Sequence, residues 1–328
     1  MRRRLRISHP QARLLDLLQD GFPLTRRPFL SIGKSMRRSE DWVLTNLGKL
    51  MEEGVVREIS GIFDSRKLGF VSTLVAMKLP ARRVDLAGKI VSREPGVSHN
   101  YRRDHEFNLW FTVTADSQAA LTRTLGKLRT RLRPERILVL PSLRVFKIGV
   151  SFDMSGGKKT RRNRNVPSRS FRLTSFDTKL VVALQRRIVP VRRPFESAAR
   201  EFDIEEGRLI AGAKELIRKG FMRRFGAVLR HRNAGFAANA MTAWKIPKND
   251  VDAFGRIASS FPQVSHCYER PVLRGWPYSV FVMIHGRTKR QCKEVMEGIA
   301  DKTGARDYEI LYSTKEYKKE RVRYFVQA

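Results

Sequence analysis

The sequence predicts an α+β fold built by tandem duplication, in which two halves repeat one arrangement of helices and strands. Three observations support this prediction. The chain aligns with itself, each half opens with apolar residues at helical spacing, and each half continues with strand-like runs separated by helical ones. At 328 residues, the chain is long enough for several domains with their own hydrophobic cores.

The duplication is clearest around a pair of glycine–phenylalanine dipeptides. Residues 57–70 (R-E-I-S-G-I-F-D-S-R-K-L-G-F) align without gaps on residues 223–236 (R-R-F-G-A-V-L-R-H-R-N-A-G-F), so that Gly69 matches Gly235. Between the halves, the stretch S-G-G-K-K-T-R-R-N-R-N-V-P-S-R combines glycine, proline and like charges with almost no apolar residues. This composition predicts a flexible basic linker at 153–170.

Each half is predicted to begin with three helices and a hairpin. In the first half, apolar residues from Leu14 onward, Pro28 at a first helical turn and the N-cap candidate Ser39 mark the helices, and Gly54 ends the third. The following residues 55–63 (V-V-R-E-I-S-G-I-F) predict two short strands joined by a turn, the wing. The second half repeats this order with helices near 178–187, after Pro194 and over 205–219. This order is that of a winged helix-turn-helix.

The remainder of each half is predicted to form a small sheet covered by helices. The predicted order in the first half is a strand (70–79), a helix (84–93), two strands (97–104 and 107–114), a helix (117–131) and a strand (136–140). The second half gives the same order and ends in a strand at 308–313. This β-α-β-β-α-β order is typical of a ferredoxin-like domain. The predicted domains are winged helix-turn-helix units at 1–66 and 171–232 and ferredoxin-like units at 67–152 and 233–328.

Composition narrows the range of functions. The formal net charge of +34 favours polyanionic partners, which include nucleic acid, an anionic membrane surface and a multiply carboxylated small molecule. The two cysteines, Cys267 and Cys292, exclude a four-cysteine iron–sulfur or zinc site within one chain. The N-terminus has no apolar run typical of a secretory signal, and no apolar window is long enough to span a membrane. We therefore expect a cytoplasmic protein.

The third helix of each half argues against sequence-specific DNA binding. A recognition helix presents its N-terminal turns to base edges between phosphates. Here those turns carry Glu40 and Asp41 in the first half and Asp203, Glu205 and Glu206 in the second. Carboxylates at these positions would repel phosphate oxygens. We therefore expect nucleic-acid binding to be nonspecific at most.

One polar motif occurs in both halves, as V-S-H-N-Y-R-R-D-H-E-F-N-L-W-F at 97–111 and as V-S-H-C-Y-E-R at 264–270. Because alternate residues of a strand share a face, His99, Tyr101 and Arg103 form one stripe, and His266, Tyr268 and Arg270 form another. Each stripe offers a proton carrier, a phenol donor and a fixed cation for carboxylates. The alternative interpretation is a solvated sheet face or a hydrogen-bonded interface.

Other candidates lie near the stripes. His105 stands at the turn after the first stripe, close to Arg103. His231 replaces Ser65 of the first half, and His285 lies where the first half has Thr114 or Ala115, so the halves are predicted to hold one complete and one altered site. Trp276 and Tyr278 are aromatic residues of a kind found more often in cores than as ligand platforms. No G-x-G-x-x-G follows a strand, so a nucleotide cofactor has no signature.

A winged helix-turn-helix followed by a ferredoxin-like domain resembles the Lrp/AsnC family of transcription regulators. More specifically, V-S-H-N-Y-R-R-D-H-E-F-N-L-W-F-T resembles the signature of one siroheme decarboxylase subunit, and V-S-H-C-Y-E-R-P…W-P-Y…M-I-H-G resembles that of its partner subunit. The resemblance covers essentially the whole chain and implies a fused form of the two subunits. Arg102 departs from it, because an apolar residue is expected there.

The resemblance implies a carboxy-lyase that removes two acetate side chains of siroheme as CO2. The product would be 12,18-didecarboxysiroheme, on the route to haem d1 or to haem by the siroheme branch. It implies no resident metal and no cofactor beyond the iron of the siroheme substrate. The two halves would form a pseudo-dimer, and further homo-oligomerisation stays open. A DNA-binding regulator of the Lrp/AsnC type and a tetrapyrrole sensor without turnover are the alternatives.

The resemblance also gives the candidate residues their expected roles. His105 and His266 would transfer a proton or contact the substrate iron, and Arg103 and Arg270 would hold carboxylates. The expected substrate-binding residues are His99, Tyr101, Arg102, Tyr268, Trp276, Tyr278, His231 and His285. Which histidine acts as the acid stays open at this point.

Overall fold

A computed structural model describes residues 7–149, 154, 171–230 and 238–326. The chain forms two compact units, and each unit draws on both halves of the sequence. The first unit contains Met1–Leu68, Ser151–Gly235 and Arg323–Ala328, and the second contains Gly69–Val150 and Phe236–Val322. Apart from Met154, the predicted linker at 153–170 lies outside the described residues.

The helices and strands follow the predicted order closely. The helices are α1 (His9–Asp20), α2 (Pro28–Met36), α3 (Glu40–Glu52), α4 (Val84–Ser92), α5 (Gln118–Leu132), α6 (Ser175–Leu184), α7 (Glu196–Glu201), α8 (Glu206–Lys219), α9 (Val251–Ser260) and α10 (Lys289–Thr303). The strands are β1 (Val56–Phe63), β2 (Val71–Lys78), β3 (Val97–Arg103), β4 (Leu109–Ala115), β5 (Arg136–Pro141), β6 (Arg144–Ile148), β7 (Met222–Leu229), β8 (Ala238–Trp244), β9 (Val264–Glu269), β10 (Val280–Gly286) and β11 (Tyr308–Lys319).

The first unit contains the three-helix arrangement of each half. Helix α1 begins at a capping box in which the Ser8 side chain accepts from the Gln11 amide. Helix α3 begins at the predicted N-cap Ser39, whose side chain accepts from the Trp42 amide at 3.1 Å. The apolar faces of these helices bury leucines such as Leu14 and Leu47. The helical part of the predicted winged helix-turn-helix is therefore confirmed.

The predicted wing hairpin is wrong in this unit. Residues 55–63 do not turn: β1 is one continuous strand, and it pairs antiparallel with β7 of the other half. Gly61 is needed there for close packing, because a Cβ at this position would lie 2.8 Å from the Phe63 ring.

The second unit contains one nine-stranded antiparallel sheet, with strand order β5-β2-β4-β3-β11-β8-β10-β9-β6. Its two four-stranded parts, β5-β2-β4-β3 and β11-β8-β10-β9, are the ferredoxin-like sheets of the first and second halves and are called the first and second sheets below. Helices α4 and α5 contact the first sheet, and α9 and α10 contact the second. One buried apolar cluster lies between each sheet and its helices. A third cluster joins residues of both sheets, including Trp110, Leu140, Trp276 and Phe281. The ferredoxin-like order predicted for each half is thus confirmed.

Two strands extend further than the sequence predicted. Strand β11 pairs with β8 through its first residues, then continues past Ser313 and pairs with β3. Strand β6 follows β5 and pairs with β9 of the other half. Their aromatic residues fit against helical glycines, since a Cβ on Gly88 or Gly255 would lie 2.5 Å from the ring of Tyr317 or Phe146, respectively. Each half therefore lends a strand to the sheet of the other.

Candidate active site

The first polar stripe lies on one face of β3, as predicted. Tyr101 is paired with Trp110, a member of the cluster between the sheets. Asn100 points the other way, and its amide donates to the Gly88 carbonyl of α4 at 2.8 Å. The Arg103 guanidinium lies 5.6 Å from the centre of the Tyr101 ring. The stripe therefore faces the interior between the two sheets.

The second stripe repeats this arrangement on β9. Tyr268 is paired with Phe281 of the cluster between the sheets. The Tyr268 hydroxyl and the His266 Nδ1 are 3.2 Å apart, and their rings stack at 5.8 Å. The Arg270 guanidinium lies 5.1 Å from the centre of the Tyr268 ring. Both copies of the motif thus place histidine, tyrosine and arginine on one face.

The two stripe arginines link the halves reciprocally. Arg103 on β3 donates to the carbonyl of Leu311 on β11, in the second half. Arg270 donates to the carbonyl of Leu140 on β5, in the first half. Sequence reasoning assigned both side chains to substrate carboxylates and did not foresee these backbone contacts. Each arginine therefore also fixes the position of the opposite sheet.

Arg103 is a buried cation without a carboxylate partner among the described residues. Its side chain is 5% exposed, and its Nε has no hydrogen-bond partner there. Burial lowers the pKa of Arg103 to about 10, which still leaves it charged at neutral pH. A desolvated cation that lacks a counter-ion is costly. An anion that reaches this guanidinium would recover part of that cost.

Arg103 and His105 line the same cavity. The cavity has a volume of about 360 Å³, and its other lining residues are Arg102, Asp104, Asn108, Thr314 and Lys315. Asn108 anchors the turn, because its side chain donates to the Leu79 carbonyl at 2.7 Å and accepts from the Leu79 amide at 3.2 Å. Asn108 was not predicted from the sequence. The available signal was a polar amide side chain directly before strand β4.

His105 is held in a defined tautomer. The Phe107 amide donates to His105 Nδ1 at 3.0 Å, so the proton of the neutral imidazole lies on Nε2. The ring stacks on Phe107 at 6.0 Å and meets Trp276 edge-on at 5.6 Å. Burial lowers the pKa of His105, and the charges of Glu309 and Glu106 oppose that effect. The structure therefore presents a half-buried Nε2–H beside a buried cation.

Arg102 and Lys315 complete the basic wall of the cavity. Both share one carboxylate, with Arg102 3.8 Å and Lys315 3.1 Å from Asp85. Arg102 lies on the opposite face of β3 from Arg103, as the alternation predicted. Its charge is therefore partly balanced within the protein, unlike that of Arg103.

The two predicted aromatic residues of the second half lie close to the same turn. Trp276 is 2% exposed and contacts Phe107, Trp110 and Phe281. The Tyr278 hydroxyl donates to Glu309 at 3.2 Å, and burial raises the pKa of Tyr278 to about 12. Trp276 is thus a core residue in this structure, as such residues usually are, and its role in binding substrate stays a prediction.

The remaining histidines are placed elsewhere. His99 Nδ1 lies 3.0 Å from the Ser98 hydroxyl, and His285 Nε2 lies 2.8 Å from the Ser265 hydroxyl. Burial lowers the pKa of His285 to about 4, so its imidazole is neutral at neutral pH. None of His99, His266 and His285 lines the His105 cavity. His231 lies outside the described residues.

Two kinds of feature are absent from the residues that the structure describes. No group of three or more histidine, cysteine, aspartate or glutamate side chains there could hold a metal ion. No helix among the same residues has the length and apolar character needed to cross a membrane.

Arginines form ion pairs with the carboxylates at the start of α3 and α8. Glu40 ion-pairs with Arg27 of its own half, and Glu206 ion-pairs with Arg193 of its own half. A second arginine reaches each turn from the other half, namely Arg192 at α3 and Arg26 at α8. Side chains that would have to meet DNA are therefore engaged within the protein, which does not favour sequence-specific regulation.

The chain matches two family models and several siroheme decarboxylases. A model described as AsnC-like ligand binding domain matches residues 67–147 and 233–318, and one described as siroheme decarboxylase NirDL-like HTH domain matches residues 11–57. The chain is 35% identical over 317 residues to a siroheme decarboxylase of Hydrogenobacter thermophilus, which covers 95% of this chain and 94% of that protein.

Two further relatives bear on the duplication and on the ligand. The siroheme decarboxylase beta subunit of Methanosarcina barkeri is 40% identical over 147 residues, which is 45% of this chain and 97% of that subunit. The crystal structure of siroheme decarboxylase NirDL in complex with an iron-uroporphyrin III analogue matches with a TM-score of 0.73 and 31% identity, over 97% of this chain and 95% of that one. The protein therefore belongs to the siroheme decarboxylase family, as a single chain in which two related halves are fused.

Proposed function

We propose that this protein removes two acetate side chains of siroheme as CO2 and yields 12,18-didecarboxysiroheme. In each step the bond between the acetate methylene and its carboxylate breaks, CO2 leaves, and the electron pair left behind takes up a proton to give a methyl group. The step is balanced by siroheme and protons alone, so we propose no cofactor beyond the iron that the substrate carries. The family of the chain and the chemistry of the His105 cavity support this assignment.

One observation carries the proposal: Arg103, a buried cation with no carboxylate partner in the described part of the chain, lines the same cavity as the half-buried His105. Siroheme is rich in carboxylate arms, and a guanidinium binds carboxylates through charge-assisted hydrogen bonds. The cavity of about 360 Å³ can take an arm and part of the ring edge of a tetrapyrrole. The neighbouring wall is aromatic, which suits the flat apolar body of the ring.

Arg103 is best suited to an arm that does not react. In decarboxylation the negative charge moves from the carboxylate to carbon, so a cation on the reacting carboxylate would stabilise the ground state more than the transition state. Arg103 would therefore anchor a neighbouring carboxylate and orient the ring. The reacting acetate would lie against Phe107 and Trp276, where loss of water raises the free energy of its charge.

His105 is the proposed proton donor. Its Nε2 carries the exchangeable proton, because Nδ1 accepts from the Phe107 amide. Bound carboxylates would raise the pKa of His105 and offset the effect of burial, so the imidazole would become a competent acid once substrate is present. Coordination of the substrate iron through Nε2 would require that proton to move to Nδ1 and the bond to Phe107 to break. This geometry favours the acid role for His105 and leaves iron contact to another histidine.

The test is anaerobic turnover of siroheme by the full chain and by the His105→Asn variant. We expect the wild type to release CO2 in two steps, seen as two successive mass losses in the tetrapyrrole, and we expect the variant to bind siroheme but to slow both steps by about 100-fold or more. Normal CO2 release by His105→Asn would remove its chemical role. Binding without any turnover by the wild type would instead indicate a tetrapyrrole sensor.

The regulator alternative has its own test. A sequence-specific regulator would prefer one duplex over random DNA at physiological salt, whereas nonspecific binding by a basic protein weakens steeply as salt rises. We expect only the second behaviour. We also propose a cytoplasmic location and a product that is used to make haem d1 or haem. Further homo-oligomerisation is likewise a proposal.

A further inference from the structure

Trp276 is 2% exposed, yet its indole N–H has no partner among the residues that the structure describes. The two other fully buried tryptophans differ: Trp110 Nε1 donates to the Phe107 carbonyl, and Trp244 Nε1 donates to the Thr242 hydroxyl at 2.8 Å. Buried donors are nearly always paired in folded proteins. The exception at Trp276 therefore requires an explanation.

A loosely ordered backbone does not explain the missing partner of the indole N–H, because hydrogen bonds hold the backbone around Trp276 in place. Leu273 and Trp276 exchange two backbone hydrogen bonds of 3.0 and 2.8 Å, with Gly275 at a φ of 74° in the turn between them. Arg136 donates to the Arg274 carbonyl at 3.0 Å and fixes the tip of this hairpin. The backbone that carries the indole is therefore held both by the hairpin bonds and by Arg136.

The surroundings of the indole connect it to the proposed chemistry. His105 meets it edge-on at 5.6 Å, and Phe107 and Trp110 pack at 5.7 and 5.6 Å. His105 also lines the cavity of about 360 Å³. A second cavity of about 660 Å³ is lined by Arg136, Ile137, Leu138, Leu273, Arg274 and Gly275, which includes the hairpin itself. A donor without a partner among the described residues therefore lies next to residues that line two basic cavities.

We propose that the Trp276 indole N–H is a substrate-binding donor that takes a carboxylate arm of siroheme next to His105. An indole nitrogen donates and cannot accept, so its partner must be an acceptor. Carboxylates are the acceptors that the periphery of siroheme supplies. The inference rests on the proposed function and adds a residue from the second half to a site whose proton donor comes from the first half.

The experiment compares Trp276→Phe with the matched control Trp110→Phe. Each change removes one indole from the same cluster, but only Trp110 loses a hydrogen bond that the free protein makes. In the absence of ligand we expect both variants to lose packing, and Trp110→Phe to lower the Tm more than Trp276→Phe does, because it also loses that hydrogen bond. In anaerobic titration with siroheme we expect Trp276→Phe to weaken binding by about tenfold or more, which is the loss for a hydrogen bond to a charged group, and Trp110→Phe to weaken it less.

A spectroscopic measurement separates binding from packing. The indole N–H resonance of Trp276, assigned by its loss in Trp276→Phe, should move downfield when metal-free uroporphyrin, an octacarboxylate, is added to the full chain. The resonance of Trp244 should stay in place.

Unchanged siroheme binding by Trp276→Phe, in a protein whose wild type converts siroheme, would overturn this inference and leave the proposed function intact. A wild type that neither binds nor converts siroheme would overturn both.

Discussion

The guanidinium of Arg192 lies 3.1 Å from the carboxylate of Asp41, although the two residues belong to different halves of the chain. The matching arginine of the first half, Arg26, lies 3.4 Å from Glu205 of the second. Each half thus closes the first turn of the other half's third helix. The duplicated P-x-R-R-P-F and P-x-x-R-R-P-F segments carry this network, because the second arginine of each pair binds the glutamate of its own half.

We expect Arg193→Ala to lower the Tm more than Arg26→Ala does. Arg193 Nη2 lies 2.6 Å from Glu206, a carboxylate that is only 8% exposed and would keep only the longer contact of 3.8 Å with Arg26 Nε. Arg26 mainly contacts the exposed Glu205, and such surface pairs contribute little. Thermal unfolding measures both, with Arg290→Ala, from the exposed helical pair Arg290–Glu294, as control. Equal losses for all three variants would contradict the buried-carboxylate argument.

We expect Arg103→Met to separate binding from stability. Methionine removes a costly desolvated charge but also the bond to the Leu311 carbonyl. These two effects oppose each other, so the free energy of unfolding should change by less than about 1 kcal/mol. Siroheme binding should weaken by about tenfold or more, because a charge-assisted contact is lost. The matched control is Arg83→Met, which also removes a guanidinium bond to a backbone carbonyl, that of Leu132 at 2.8 Å.

Spectral titration and urea unfolding of both arginine variants decide this question. If Arg83→Met weakens siroheme binding as much as Arg103→Met, the effect is structural and Arg103 has no anchoring role. Adding Arg270→Leu to Arg103→Met should weaken binding further if both stripes hold carboxylates.

The buried His285 should make stability depend on pH. Its pKa in the folded protein, about 4, is below its usual value near 6.5, so the unfolded chain binds the proton first. Stability that is fully present above about pH 6.5 should therefore be lost as the pH falls toward 4, by up to ~1.4 kcal/mol per pH unit. Urea unfolding at several pH values measures the slope. We expect a flatter profile for His285→Gln and an unchanged one for His9→Gln, since His9 is exposed.

The strand exchange should depend on helical glycines. In Gly255→Ala the new Cβ would lie 2.5 Å from the Phe146 ring, which must then shift, at a cost of about 1–3 kcal/mol. The control is Gly126→Ala in α5, where nothing lies within 4 Å and where alanine should stabilise the helix by about 1 kcal/mol. Opposite signs in thermal unfolding are expected. A stabilised Gly255→Ala would show that the close fit of Phe146 is unnecessary.

Local patterns predicted most of the fold. N-caps such as Ser39, strand alternation in 97–103 and the β-α-β-β-α-β order all depend on neighbouring residues, so one sequence was enough to locate them. The wing was predicted wrongly because residues 55–63 form one strand whose partner, β7, belongs to the other half. Strand β6 and the second part of β11 were missed because their partners belong to the other half.

The sequence predicted which residues lie together in the site, but not the hydrogen bonds that they make. Alternation correctly placed His99, Tyr101 and Arg103 on one face, and the turn position correctly set His105 beside Arg103. The bond from the Phe107 amide, which fixes the His105 tautomer, and the unpaired Trp276 nitrogen depend on three-dimensional packing. Sequence alone also cannot show that Arg103 lacks a counter-ion, because that depends on which carboxylates fold nearby.

Strands β6 and β11 each pair with the sheet of the other half, which has a consequence for whether the two halves are encoded as one chain or as two. Produced as separate polypeptides, like the alpha and beta subunits of related enzymes, each half would carry one protruding arm and one unfilled sheet edge. Two copies of one half could satisfy each other's arms, but such a homodimer would bring together two His105 turns with no Trp276 hairpin, or two hairpins with no His105. Joining the halves in one chain guarantees that every molecule contains one of each.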